Sequence, residues 1–442
     1  MSVPTHKSKH FHGFSTEFVS NAALFSASKE SYDLGNFHKV NLPFQRIFVV
    51  NDPSVLHHIL VANEAKYEKS KIYWHQLRQI IGKALGSVEG DEWMVLKHLQ
   101  KPFYTRTAVE GYLNTVDSLS SQYISNWQTG KPIDLLHQLA VLNMVTVMTT
   151  VFGIEVEENP DEFARMIADG EAFIAWRSKF PWRPFLSYFT PTWQKTKRNL
   201  AFLSRFADKI VQKRQGSKSR NMTDALIDNG YGTEHIRNEL IVHLGASTET
   251  VAVAEGWVLY ILGQNPDVLA QVRAEIADIT KGGQVTAQHT HQFTYLTAVV
   301  KEAMRLYPPS HAIVRDCVAP EGDIIQTQRI EPGDTVYISA YGLHRNPQFW
   351  ERADEFDPNR FLGQNESKIP AYAYIPFGGG KHTCIGRYLA MPMMLLTLAK
   401  IIEKYDFEML GKAHKKPISL STLKPEDGFW MKLSKRKVLY SI

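Results

Sequence analysis

Three consecutive glycines followed four residues on by a cysteine constrain this chain more than anything else in it. The segment reads Ile375-Pro-Phe-Gly-Gly-Gly-Lys-His-Thr-Cys-Ile-Gly-Arg387. Adjacent glycines let a backbone turn sharply and approach a flat object closely. Cys384 follows, with Gly386 two residues on and a helix predicted after that, so a thiolate here precedes the positive end of a helix dipole. Phe377 can cover the sulfur and exclude water. For a lone cysteine the alternative is a buried, inert thiol beside a glycine turn. His382 and Cys384 could also suggest zinc, but no second Cys/His pair has suitable spacing. Cys317 is the only other cysteine. Two cysteines in 442 residues cannot make a disulfide framework, and a reducing, cytoplasmic setting is expected.

The rest of the chain must supply a fold that presents this loop. A 44% hydrophobic and 21% charged composition is globular and excludes a disordered chain or a fibre. No linker is visible, so residues 1–442 are expected to form a single domain with no fused reductase. The 50 basic and 45 acidic residues leave +5, which permits an acidic protein partner and does not point to nucleic acid. The first forty residues lack an apolar core, so no signal peptide or membrane anchor is expected. Leu135 to Ile154 carries no formal charge and is about long enough to span a bilayer. Its His137, Gln138, Asn143, Thr146, Thr149 and Thr150 instead fit a buried helix of a large core.

Periodicity places strands at Asn36–Leu42 and Gln45–Val50, then a helix capped by Asp52 and opened by Pro53. From Trp93 to about Ile313 the pattern is mostly helical, with a break at Pro181, Trp182 and Pro184. Short β-rich runs with Pro-Gly turns follow to about Tyr341, and Leu389–Tyr405 reads as an apolar helix. The expected fold is mainly α with a small β region.

Phe377-x-x-Gly380-x-x-x-Cys384-x-Gly386 resembles the haem-binding loop of the cytochrome P-450 family, the haem-thiolate monooxygenases. Glu302-Ala-Met-Arg305 resembles that family's E-x-x-R helix, and a pair three apart on a helix can make an ion pair. By resemblance, Arg360 in Phe356-Asp-Pro-Asn-Arg-Phe361 completes a structural Glu302, Arg305, Arg360 cluster. Gly342-Leu-His-Arg-Asn-Pro347 and Trp350 match as well, and the similarity runs nearly the whole chain. The resemblance implies a haem b held by the Cys384 thiolate, under a long helix crossing the porphyrin.

Asn238–Leu262 would be that helix. Its Glu249-Thr250 resembles the family's acid–alcohol pair, the catalytic groups that deliver protons as dioxygen is used. Ser247 stands where the family usually has glycine; its hydroxyl could bond back to the His243 carbonyl and bend the helix, or hold a water. By similarity the haem propionates fall to Lys97, Arg315 and His382, with His98 beside Lys97. Lysine at position 97 replaces the usual arginine and loses its fork geometry.

Lys97, Lys101, Arg106, Lys381 and Arg387 would suit an acidic electron donor, with a ferredoxin and its reductase as the expected partners. The regions that set specificity in the family here carry Trp74, His75, Gln76 and Arg78, then Phe173, Trp176, Arg177 and Trp182, then His243 and Ala246, then Ser310, His311 and Ala312. Aromatic faces with several fixed donors suit a small hydroxylated ligand such as a methylated sugar, and oxidative O-demethylation is the concrete form of that reading. The alternative is a fatty-acid or lipid hydroxylase, with these side chains pointing outward and Arg177 on a solvated face. A peroxygenase and a non-catalytic haem-binding protein are two further classes; the Glu249-Thr250 pair argues against the first.

Overall fold

The structure is a computed structural model that describes residues 5–6, 21–42, 45–156, 159–178, 183–214 and 221–436. Pro181, Trp182 and the side chain of Gln76 lie outside the described residues. The chain divides into two compact units. One comprises Met1–His75, Lys301–Cys384 and Lys416–Glu426; the other comprises Gln76–Val300, Ile385–Lys415 and Asp427–Ile442.

The first unit is built on a mixed six-stranded sheet. Its strands are β1 (Thr5–His6), β2 (Phe37–Leu42), β3 (Gln45–Val50), β4 (Tyr67–Lys69), β5 (Ala312–Cys317) and, after a separate hairpin of β6 (Asp323–Ile325) and β7 (Gln328–Ile330), β8 (Thr335–Ser339). They are ordered β1-β2-β3-β8-β5-β4. The β3 run Ile47–Val50 is apolar on both faces because alternate residues enter different cores, Phe48 and Val50 in one, Ile47 and Val49 in the other. Asp52 caps the next helix, Pro53–His57, by accepting from the N–H groups of Ser54 and Val55, as the sequence predicts. That helix runs into a π-helical turn, His58–Ala62.

Helices dominate the second unit, as expected. They include α1 (Lys71–Ile81, which enters it from the first unit), α2 (Gly90–Gln100), α3 (Arg106–Ser125), α4 (Leu135–Thr150), α5 (Pro160–Ser178), α6 (Arg183–Ser187), α7 (Pro191–Arg214), α8 (Thr233–Gln264), α9 (Thr294–Leu306, which leaves it for the first unit) and α10 (Arg387–Lys404). The uncharged stretch from Leu135 is helical to Thr150 and largely buried, and it packs against α8. Its threonines are satisfied within the helix, Thr146 Oγ1 donating to the Leu142 carbonyl at 2.8 Å and Thr150 Oγ1 to that of Thr146 at 2.6 Å. No helix among the described residues is long and apolar enough to cross a membrane. At 32 residues, α8 extends past the predicted Asn238–Leu262 at both ends. Near its C-terminal part a Cβ on Gly256 would lie 2.7 Å from the Phe429 ring, so glycine lets that aromatic pack on the helix. Lys400 anchors α10 to α3, its buried amine bonding Asp117 at 2.6 Å, Ser121 at 2.8 Å and the Val285 carbonyl at 2.8 Å.

Candidate active site

The glycine–cysteine loop is closed by its own backbone. The Gly378 N–H donates to the Ile375 carbonyl at 3.0 Å, and the Cys384 N–H to the Phe377 carbonyl at 2.9 Å. Gly378 and Gly380 take φ of 76° and 66°, left-handed values that favour glycine. At Gly380 the need is absolute, since a Cβ there would stand 1.9 Å from the Leu60 carbonyl oxygen. A single 3-10 turn, Gly380–His382, then leads to Thr383, whose hydroxyl donates back to the Gly380 carbonyl at 2.7 Å. Cys384 is exposed at the end of this turn, whereas Cys317 is buried in β5 with its thiol pKa raised by that burial. Gly386 is the N-cap residue of α10.

Behind the loop, Glu302 and Arg305 meet as the three-residue spacing requires. Both side chains are fully buried, and the guanidinium grips the carboxylate at two points, Nε to Oε2 at 2.7 Å and Nη2 to Oε1 at 2.8 Å. Arg360 joins at 3.4 Å from Glu302 Oε1, so the three-residue cluster forms. Its other bonds go to main chain. The Asp357 N–H donates to Glu302, while Arg305 donates to the carbonyls of His344, Ala353 and Glu355. Arg305 also lies over the Trp350 ring at 5.0 Å. The fully buried His344 completes the assembly, its Nε2 accepting the Ile375 N–H at 2.9 Å. Burial and the Arg305 and Arg345 guanidiniums push that imidazole down to about 3, so it is neutral and free to accept.

On α8, Glu249 is buried and Thr250 half-buried, with the Thr250 hydroxyl donating to the Ala246 carbonyl at 2.5 Å. Ala246 is exposed between them and the helix start. Of the two roles open to Ser247, the bond to the His243 carbonyl is not made: its hydroxyl reaches the Leu244 carbonyl three residues back, at a weak 3.4 Å. His243 is itself tied up internally. Its Nδ1 meets the Tyr104 hydroxyl at 2.7 Å, its Nε2 meets Gln100 Oε1 at 2.7 Å, and the ring stacks on Tyr104. Burial lowers its pKa. With both nitrogens engaged, His243 is no donor to a ligand in this conformation.

The remaining candidates are distributed. Arg315 is buried on β5, Nη1 donating to the Val314 carbonyl, and His382 is half-buried; both belong to the first unit. In the second unit the Lys97 amine lies over the Trp93 ring at 4.6 Å, and exposed His98 uses Nδ1 on the Met94 carbonyl. Trp74 and Arg78 are half-buried on α1, with Trp74 edge-on to exposed His75. Trp176 is exposed and stacks on Phe173; Ser310 is exposed; Ala312 pairs with Ser339 in the sheet. Arg177 is not on a solvated face. It is buried between the Phe173 and Tyr188 rings and donates to Ser187 and Gln79. Sequence reasoning missed this, and it matched the segment around His344 without finding the ring's task. It also missed Glu255, a fully buried carboxyl on α8.

These residues fit a haem. The exposed sulfur ends a loop whose glycines permit close approach, and the only other thiol is buried. Cationic side chains suited to propionates stand on separate elements.

A model described as cytochrome P450 matches residues 13–434. The chain is 26% identical over 384 residues to a cyclooctat-9-en-7-ol 5-monooxygenase of Streptomyces melanosporofaciens, covering 84% of this chain and 82% of that one. It is 24% identical over 496 residues to cytochrome P450 97B2, chloroplastic, of Glycine max, covering 97% and 85%. The crystal structure of the cytochrome P450DA heme domain has the same fold, with a TM-score of 0.86 at 20% identity over 99% of this chain and 98% of that one. Matched along nearly its whole length by one family, with that family's cysteine loop and buried ion-pair cluster in place, the chain belongs to the cytochrome P450 family of haem-thiolate monooxygenases.

Proposed function

We propose that this monooxygenase acts on a small polar substrate, a methylated sugar in its most concrete form, and removes the methyl group oxidatively. The supporting observation is the set of aromatic and donor side chains on α1, where half-buried Trp74 and Arg78 flank exposed His75. Exposed Trp176 and Ser310 extend that chemistry. Flat aromatic faces and fixed donors recognise hydroxylated rings and reject ligands that leave the donors unpaired.

Haem, when bound, supplies the chemistry that inserts one atom of dioxygen into a C–H bond, while two electrons and two protons reduce the other atom to water. In this reading the Cys384 thiolate holds the metal, Phe377, Gly380 and Gly386 shape the loop around it, and Arg315, His382, Lys97 and His98 pair with the propionates. Thr250 Oγ1, once released from the Ala246 carbonyl, holds a water, and the Glu249 carboxylate relays protons to it. Ala246, Ala312 and Ser310 contact the substrate. Oxidation of a methyl ether carbon gives a hemiacetal, which separates into the alcohol and formaldehyde. Electrons arrive from a ferredoxin and its reductase; exposed Arg106 and Arg387, both facing the Tyr388 ring, offer cations for an acidic donor. One haem domain in the cytoplasm completes the proposal.

A lipid or fatty-acid substrate is the second reading. Phe185, Leu186 and Phe189 on and after α6 are 70%, 52% and 77% exposed, and His243 gives no donor. The experiment titrates ferric holoprotein with methylated monosaccharides and with fatty acids while following the Soret band. A high-spin shift with a sugar, and formaldehyde under turnover, is the expected result. A shift with fatty acids alone replaces the first reading by the second.

A further inference from the structure

One side chain joins the buried ion pair to the cysteine loop. Arg305 holds the main chain of His344 by its carbonyl at 2.8 Å, and the His344 ring in turn holds the first residue of the loop through the Ile375 N–H at 2.9 Å. The other ring nitrogen, Nδ1, is buried without a hydrogen-bond partner among the described residues, and Tyr374 lies against the ring at 5.2 Å. From Ile375 the connection to the sulfur is short. The Ile375 carbonyl fixes Gly378, and the Phe377 carbonyl fixes the Cys384 N–H. At Gly380 the Leu60 carbonyl occupies the space a Cβ would need, so the backbone there packs directly on that carbonyl. The loop is therefore held by its own backbone and Thr383 bonds, and at its first residue by the His344 ring.

We propose that His344 is a positioning residue for the cysteine ligand, acting through the Ile375 N–H rather than by touching the haem. The inference rests on reading Cys384 as that ligand. Without an acceptor at His344, a buried N–H at the root of the loop is unsatisfied, and the main chain moves to satisfy it. The sulfur moves with it, and the thiolate is the group whose placement the spectrum reports.

The test uses full-length, haem-loaded protein and reads the share of the ferrous carbonyl complex with the red-shifted Soret band of thiolate ligation. Haem content and thermal midpoint are measured in parallel. His344→Leu fills similar space without an acceptor, and most of the red-shifted form is expected to be lost at unchanged haem content. His344→Gln restores an acceptor and is expected to recover it. Tyr374→Phe removes the hydroxyl bond to the Lys301 carbonyl in the same cluster and is expected to lower the midpoint with the spectrum unchanged. The proposal is overturned if His344→Leu keeps the wild-type share, if the glutamine and leucine variants lose it equally, or if Tyr374→Phe loses it as much. Should the leucine variant take up no haem, His344→Met, unbranched like glutamine but without a strong acceptor, takes its place against His344→Gln. Cys384→Ser separates the two layers: a red-shifted band that survives it refutes the ligand assignment, not the role of His344.

Discussion

Glu302 and Glu255 are both fully buried, yet their surroundings have little in common. Glu302 receives two N–H bonds from the Arg305 guanidinium, a second guanidinium, that of Arg360, at 3.4 Å and the Asp357 N–H. Glu255 has the Asn143 amide at 3.0 Å on Oε2, while among the described residues its Oε1 has no hydrogen-bond partner and no cation lies among its partners. Burial accordingly pushes Glu255 up to about 8, so it carries a proton at neutral pH. A buried carboxyl either gathers a full set of charged and polar partners or takes up a proton. Here the full set stands behind the cysteine loop, where its hydrogen bonds hold the main chain at His344, Ala353, Glu355 and Asp357. The sparse set stands in the helical core, where only packing is at stake.

The contrast can be broken most forcefully at Glu302. Glu302→Ala leaves Arg305 buried without its counter-ion, and a cost of about 3–5 kcal/mol is expected. Thermal unfolding of the haem-loaded protein checks this; a midpoint near wild type would mean that the main-chain carbonyls alone satisfy Arg305. Next in size is the pH dependence at Glu255. Its folded pKa of about 8 lies above the 4.5 of a free carboxyl. Its stabilising contribution is therefore complete below pH 4.5 and is lost as pH rises through about 8. Glu255→Gln needs no proton, so it should flatten the stability profile by about 2 kcal/mol between roughly pH 6 and 8. Parallel profiles for variant and wild type would show that Glu255 is ionised. The smallest effect is expected at Ser247, where neither charge nor deep burial is involved. Ser247→Ala removes one long hydrogen bond and should change stability by about 0.5 kcal/mol or less. A larger loss in chemical denaturation would show that the hydroxyl bends α8 after all.

The parts of this molecule legible in the sequence are those whose partners are local. Three-residue spacing brought Glu302 to Arg305, and Asp52 capped its own helix. The adjacent glycines announced a tight turn, though not that Leu60 supplies the obstructing carbonyl. Periodicity tells which face of a helix a residue occupies, but not what another element brings to that face. So His243, read as facing a ligand, is closed off by Gln100 and Tyr104 from α2 and the turn after it. Arg177, read as a donor of the specificity region or, in the alternative, as lying on a solvated face, is enclosed because Tyr188 and Ser187 fold back over it. The back-bond that was one of two roles open to Ser247 falls on Leu244 and not His243, since a serine rotamer on a helix reaches carbonyls three or four positions back. His344 lay within a recognised pattern, but its bond to Ile375 spans 31 residues and emerges only from the fold.

The contact between Gly380 and Leu60 has a consequence for the genetics of the loop. The obstacle is a carbonyl oxygen in the π-helical turn His58–Ala62, so its position is set by main-chain geometry and not by which side chain residue 60 carries. Truncating Leu60 removes nothing from the path of a Cβ at position 380. A suppressor of a Gly380 substitution must reshape the backbone of that turn, by deleting a residue or restoring a regular α-turn, and the two segments are therefore bound to change together.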